Sequence, residues 1–289
     1  MKYEAIEQYS QEHSVGKMCH VLGLAQSAYY QWKRRRAIKE EKAETERILA
    51  KVMRDIFEEN ERCYGYRRIC GELRKAMIYL SEHTIRRIMR ENGLYPVSSV
   101  KFKPAGKGKV TGRFLENLLK QEFDIKGINK VWAGDITYIK THLGWVYLAI
   151  VIDLYNREII GYCVGKRNDA ELVKRALANA LVRTGAGGKG IIFHSDRGCQ
   201  YSSKSFQKML EKHNLTGSMS RPGCPYDNAP VESFISSAKR ECIYRKEYAD
   251  MAAVERDLFR YIELFYNRKR SHSALGYMSP VEYRKAKAA

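Results

Sequence analysis

WAGDITYI, residues 132–139, sets a single carboxylate, Asp135, inside a run that is otherwise apolar and aromatic. Together with Val131 the run predicts a β-strand over 131–139, and a carboxylate interrupting a strand needs a task to offset its burial. Two more strands follow, Trp145–Asp153 and Ile159–Gly165, each behind a short turn, so the three form a meander. Further along, Ala170–Arg183 has helical spacing, GAGGKG (185–190) breaks it, and a short apolar strand, Ile191–Phe193, ends at His194-Ser195-Asp196. A helix over Ser202–His213, a strand over Thr216–Met219, and helices from about Pro230 and Ala252 complete the pattern. This order predicts an α/β domain, a mixed sheet flanked by helices.

Two further acids stand where a cleft would form. Asp196, in HSDRGCQYSS (194–203), lies just past a strand end, from which side chains of α/β domains commonly reach a ligand. Glu232 opens a helix announced by PYDNAPVES (225–233), with Asp227 or Asn228 as cap and Pro230 in the first turn. Glu232, Ser236 and Lys239 share one helix face, while Val231, Phe234, Ile235 and Cys242 turn toward a core. Three acids from separate elements suit Mg²⁺ or Mn²⁺, which prefer oxygen donors, and two such ions about 3.5 to 4 Å apart stabilise the nucleophile and leaving oxygen of a phosphodiester. By count alone a chain with 33 acidic residues offers many such triples, so their contexts carry the weight.

Those contexts, WAGDITYI, HSDRGCQYSS and RPGCPYDNAPVESFISSAKRE (221–241), closely resemble the catalytic signature of insertion-sequence transposases of the IS-three family, relatives of retroviral integrases. That signature has 35 residues between the second aspartate and the glutamate and a basic residue seven positions later, which Asp135, Asp196, Glu232 and Lys239 match. The resemblance continues through YGYRRICGELRK (64–75) and FYNRKRSHSALGYMSPVEY (265–283), nearly the whole chain. It implies a ribonuclease H-like catalytic fold with five strands and Mg²⁺ or Mn²⁺ dependence, two ions being expected. It also implies nicking at the element's ends and attack of the freed 3′ hydroxyl, first joining the two ends into a circle. DNA, both terminal inverted repeats and target, is the implied partner. Lys239 and its neighbour Arg240 are expected on phosphates and Asn228 in support of the acids, while His194, two residues before Asp196, reads either as support for them or as a neutral histidine packed in the strand. The chain resembles a downstream-frame product, so an upstream-frame partner or fusion is implied, as is a homo-oligomer that brings two ends together.

Before the acids the chain reads as helical. Helices near Tyr3–Gln11, from Ser14 to Leu22, and from about Ser27 follow helix-turn-helix grammar over 1–40. The third carries Tyr29, Tyr30 and Trp32 and ends in Lys33, Arg34, Arg35 and Arg36, which fits a helix laid on DNA and equally a capped hairpin with a solvated basic end. A second helical unit, 44–97, begins with Thr45–Asn60, apolar at Ile48, Val52, Ile56 and Phe57. It continues past Tyr64-Gly65-Tyr66 into Arg67–Ala76 and the helix His83–Asn92, capped by Ser81, another helix-turn-helix-like pair whose Arg67 and basic face of Arg86, Arg87 and Arg90 are expected on DNA. Residues 98–127 read as a basic linker, with Lys101, Lys103, Lys107 and Lys109 suited to a phosphate backbone or to solvent, and 128–289 as the catalytic domain.

Composition agrees. The 289 residues carry 52 Lys and Arg against 33 Asp and Glu, a formal charge of +19 that attracts polyanions. No run approaches the length of a membrane span and the N-terminus lacks a secretory core, so a cytoplasmic protein is expected. Seven cysteines without Cys-x-x-Cys pairs read as free thiols. The competing classes are a nuclease that cuts without joining and an idle DNA-binding regulator. The intact acids oppose the second, and two helical recognition units oppose the first. Asp153 is expected to cap a turn, and Arg268, Lys269 and Arg270 to form an auxiliary basic cluster at a helix end.

Overall fold

A computed structural model describes residues 1–97, 115–122, 124–185, 190–221 and 225–288. Five strands form one sheet among the described residues: β1 (Val131–Thr141), β2 (Gly144–Asp153), β3 (Ile159–Gly165), β4 (Ile191–Ser195) and β5 (Leu215–Met219), in the order β3-β2-β1-β4-β5. The first three are an antiparallel meander, and β4 and β5 add in parallel beside β1. β1 is therefore central, paired on both edges.

Eleven α-helices accompany the sheet among the described residues: α1 (Lys2–Gln8), α2 (Val15–Val21), α3 (Gln26–Glu59), α4 (Tyr66–Lys75), α5 (Glu82–Glu91), α6 (Ala170–Thr184), α7 (Cys199–Ser202), α8 (Lys204–Lys212), α9 (Ala229–Glu241), α10 (Met251–Phe259) and α11 (Pro280–Ala288). On one face of the sheet α6, α7 and α8 pack Leu172, Ala176, Tyr201 and Phe206 against Trp132, Val151 and Phe193. The other face is covered by α9, by α10 and by the π-helical turn Arg260–Tyr266 that continues it. The mixed sheet flanked by helices is as expected.

Three local expectations change. The helices placed at Ser27 onward and at Thr45–Asn60 are one 34-residue helix, α3, which runs through the proposed boundary between 40 and 44. It contains neither Gly nor Pro, and residues 33–48 are exposed all round, held by pairs such as Arg36–Glu40 at 2.8 Å. Ile48, placed on the apolar face, is 57% exposed, because the packed stripe begins only at Leu49. The helix expected over Ser202–His213 breaks at Ser203, whose Oγ accepts from Phe206 N and starts α8 afresh. Ser81 caps α5 through Thr84 N, as anticipated, whereas Ser14 precedes α2 without a side-chain cap bond.

The second helical unit docks on the five-stranded sheet. Met53, Phe57, Ile69, Leu73, Ile85 and Ile88 belong to the same core cluster as β1, α9 and α10. Tyr64 seals the contact: its hydroxyl donates to Lys269 O and accepts from Ser271 N at 2.7 Å. By contrast Ile6, Cys19 and Tyr29 form a small separate core on the far end of α3.

Candidate active site

Two of the acids lie past the end of the β1–β4 ladder, and the third stands on α9 within electrostatic reach of Asp135. Gly134 and Ser195 are the last partners of the parallel β1–β4 ladder, so Asp135 and Asp196 come next, Asp135 still within β1 and Asp196 where the chain leaves β4. Glycine at 134 is required by crowding: a Cβ there would lie 2.7 Å from Phe193 Cζ and 3.3 Å from Ile150 O. Asp135 pairs with Ile150 on β2 and its Oδ1 accepts from Ile136 N at 2.7 Å. Asp196 is exposed, its Oδ1 held by Gly198 N at 2.9 Å. Glu232 is exposed in the first turn of α9, where the helix dipole favours a carboxylate.

Electrostatics tie these groups together. Burial pushes the Asp135 carboxyl up to about 7, the negative charges of Asp196 and Glu232 push the same way, and Lys239 opposes them. Lys239 is half-buried on α9, its ammonium 5.0 Å from the centre of the Tyr138 ring, its pKa lowered by burial against the pull of Asp135. Ser236 and Lys239 share a row with Glu232, while Val231, Phe234 and Cys242 are buried and Ile235 is half-buried. Among the described residues, no group of three or more His, Cys, Asp or Glu is gathered closely enough to hold a metal ion. The donor set nevertheless fits a hard divalent cation: the acids are all-oxygen, and like-charge repulsion at Asp135 is the term such a cation relieves.

The supporting residues fall into place differently. His194 is fully buried, its ring nitrogens bonded to Ser218 Oγ (2.9 Å) and Ser220 Oγ (3.1 Å), and burial holds it near 4, hence neutral. It ties β4 to β5 and to Ser220 just beyond it, rather than to the acids. Asn228 does not cap α9; its Nδ2 donates to Gly134 O, beside Asp135, and its buried Oδ1 has no hydrogen-bond partner among the described residues. Asp227, expected as a cap, is instead a buried hub. Burial raises its pKa, but bonds from Arg221 N, Gln121 and Arg221 outweigh this and hold it at about 2, while Asn117 also donates. Asp153 does hold its turn, accepting from Asn129 N and Tyr155 N.

Tyr201 carried no expectation. Its buried hydroxyl lacks a hydrogen-bond partner among the described residues, and after burial the charges of Asp135 and Asp196 raise its pKa, so it borders the acids. The aromatic in HSDRGCQYSS was its only sequence signal.

Of the expected DNA contacts, several are internal. Tyr29 is 1% exposed in the N-terminal core, its hydroxyl donating to Glu7, so it does not face a ligand. Trp32 is half-buried and stacked on Tyr3. Lys33 pairs with Glu7 at 3.1 Å. Arg87 joins α5 to α3 through Glu46 (2.6 Å) and also meets Glu91, a structural use. Arg67 and Arg86 lie over the Tyr66 ring. Arg34, Arg35, Arg90 and Arg240 are exposed. Arg270 is not part of a surface cluster: it is 4% exposed, bonded to both oxygens of Glu241 at 2.7 Å. Lys101, Lys103, Lys107 and Lys109 lie outside the described residues. No helix among the described residues is long and apolar enough to cross a membrane. Cys63 and Cys70 are buried free thiols, Cys199 an exposed one.

Family models for the Integrase core domain match residues 126–225 and 213–280, and one for an HTH-like domain matches 43–102. The chain is 40% identical over 283 residues to "Transposase InsF for insertion sequence IS3A" of Escherichia coli (strain K12), covering 98% of each. It is 36% identical over 267 residues to the "Insertion element IS600 uncharacterized 31 kDa protein" of Shigella sonnei, covering 92% of this chain and 97% of that one. Among solved structures, it is similar to a chain of the simian T-cell lymphotropic virus intasome in complex with PP2A regulatory subunit B56 gamma. There the TM-score is 0.45 at 16% identity, over 71% of this chain and 66% of that chain.

Proposed function

Since the chain belongs to the IS3 family of insertion-sequence transposases, we propose that Asp135, Asp196 and Glu232 are its catalytic carboxylates and the ligands of two Mg²⁺ or Mn²⁺ ions. The protein is an enzyme of DNA transposition with an integrase-type core. The electrostatic coupling of Asp135 to Asp196, Glu232 and Lys239 carries the assignment. Divalent ions bound there supply charge stabilisation for the attacking and leaving oxygens of a phosphodiester.

The protein's own part is to orient. β1 and β4 hold two acids side by side, and the first turn of α9 brings the third. Asn228 fixes the Gly134 carbonyl next to Asp135, and Lys239 faces a phosphate of the DNA. The reaction is nicking at the element's ends followed by attack of the 3′ hydroxyl on a second phosphodiester, with the exposed Arg34, Arg35, Arg90 and Arg240 on DNA phosphates. Two chains are needed to hold two ends, and an upstream-frame partner or fusion serves end recognition.

The test is strand joining on DNA bearing the element's ends, with Mg²⁺, for Asp135→Asn, Asp196→Asn and Glu232→Gln. Each is expected to lose nicking and joining while binding DNA as before. Full activity in one variant removes that residue from the site, and nicking by the wild type without joined products makes the protein a nuclease.

A further inference from the structure

The run 265–283 has no part in the acid centre, yet it builds a second cavity. Asn267, fully buried, ties it to β3 through both the N–H and the carbonyl of Ile159. Arg270 ties it to α9, donating to Glu241 and, at 3.0 Å, to Ser237 Oγ. Between this run, α9 and the second helical unit lies a cavity of about 550 Å³, the size of many ligand sites.

Its charges do not balance. Arg68, Arg157, Arg240 and Arg270 line it against one carboxylate, Glu241, which is already engaged by Arg270 and lies 3.6 Å from Arg68. His272, also at the wall, is held neutral by burial and by the charges of Arg270, Arg68 and Arg157. The cavity therefore carries an excess of three positive charges. Arg157 shows this most directly: its buried Nη1 has no hydrogen-bond partner among the described residues. A guanidinium withdrawn from water without a partner is costly, and an anion with several oxygens offsets that cost.

The cavity shares α9 with Glu232. On α9 the row Ser233, Ser237 and Arg240 lines it, and the adjacent row, one residue earlier at each position, is Glu232, Ser236 and Lys239. A helix is ~10 Å across, so phosphates a nucleotide or two apart on one strand reach both rows. We propose that this cavity binds a phosphate of the DNA strand close to the phosphodiester held at the acids, with Arg157 and Arg240 as its ligands. The placement rests on the acids being the catalytic centre; the phosphate site itself does not.

The experiment reads binding, not chemistry. The full chain carrying Asp135→Asn, without metal, is titrated by fluorescence anisotropy with duplexes of the element's end, each bearing one neutral methylphosphonate near the cut position. Arg157→Gln and Arg240→Gln are compared with that parent. At one or two phosphates neutralisation is expected to weaken the parent about tenfold and the arginine variants little, and each variant lowers the salt slope by about 1. Equal sensitivity of parent and variants at every phosphate overturns the proposal. Arg240→Gln, at an exposed position, keeps the test valid if Arg157→Gln does not fold. Inorganic phosphate is the second probe: if it raises the melting temperature of the parent alone while the DNA profiles coincide, the cavity takes a free anion and the DNA assignment fails. Loss of the profile shift leaves the joining assay of the acid variants untouched, so the two assignments fail separately.

Discussion

Metal-free protein is expected to lose stability as pH rises from 5 to 8, and Asp135→Asn is expected to remove most of that loss. In the folded chain burial, Asp196 and Glu232 raise the Asp135 carboxyl from 3.8 to about 7. Between those values the folded state keeps a proton that the unfolded chain has released, so stability falls with rising pH until about 7 and then levels. At about 1.4 kcal/mol for each tenfold in the proton equilibrium, the interval from pH 5 to 8 corresponds to about 2 to 3 kcal/mol. Asparagine keeps an acceptor for Ile136 N, so its pH-independent effect is similar at both values and cancels in the difference. The assay is urea unfolding with chelator present, wild type against Asp135→Asn, at matched ionic strength. The stability gained by the variant is expected to be larger at pH 8 than at pH 5 by that amount, and Mg²⁺ at pH 8 to stabilise the wild type more than the variant. A gain equal at both pH values, within about 0.5 kcal/mol, refutes the coupling argument.

Glu241→Gln leaves Arg270 buried without its counter-charge and is expected to cost about 3 to 5 kcal/mol in unfolding free energy, seen by urea titration. Asp227→Asn is expected to cost about 2 kcal/mol at neutral pH. Because the folded pKa of Asp227 is depressed to about 2, its contribution is full above about pH 4 and is lost as pH falls through 2, so the two proteins converge in acid titrations. Arg34→Gln with Arg35→Gln is expected to lower the salt slope of DNA binding by about 2 without changing the melting temperature. Tyr29→Ala is expected to melt the N-terminal core while leaving the catalytic sheet intact by hydrogen exchange.

The sheet was legible because alternation is local: β1 to β5 follow apolar patterning, and the β1–β4 register brings Asp135 and Asp196 together. Glu232 and Lys239 were legible because Pro230 starts their helix and spacing sets the shared row. What stayed hidden depends on distant partners. Asp227 looks like a cap from its neighbours, yet its partners Asn117 and Gln121 lie more than a hundred residues away. Tyr29 and Trp32 beside four cations look the same whether they meet DNA or close a core with Tyr3 and Ile6. The cations of α4 and α5 likewise divide between ion pairs such as Arg87–Glu46 and solvent, a choice made by tertiary packing. Continuity of α3 had a signal, the absence of Gly and Pro, but no apolar period over 33–48 to announce it.

That continuity sets a phase. Tyr29, in the N-terminal core, and Met53, in the catalytic one, are 24 residues apart on one uninterrupted helix, hence about 36 Å at 1.5 Å per residue. The pitch of the DNA duplex is about 34 to 36 Å. A duplex lying along α3 would thus turn the same groove toward both ends of the rod. Length and angular phase are coupled in such a spacer, because each added residue both lengthens it and rotates one end by about 100° relative to the other.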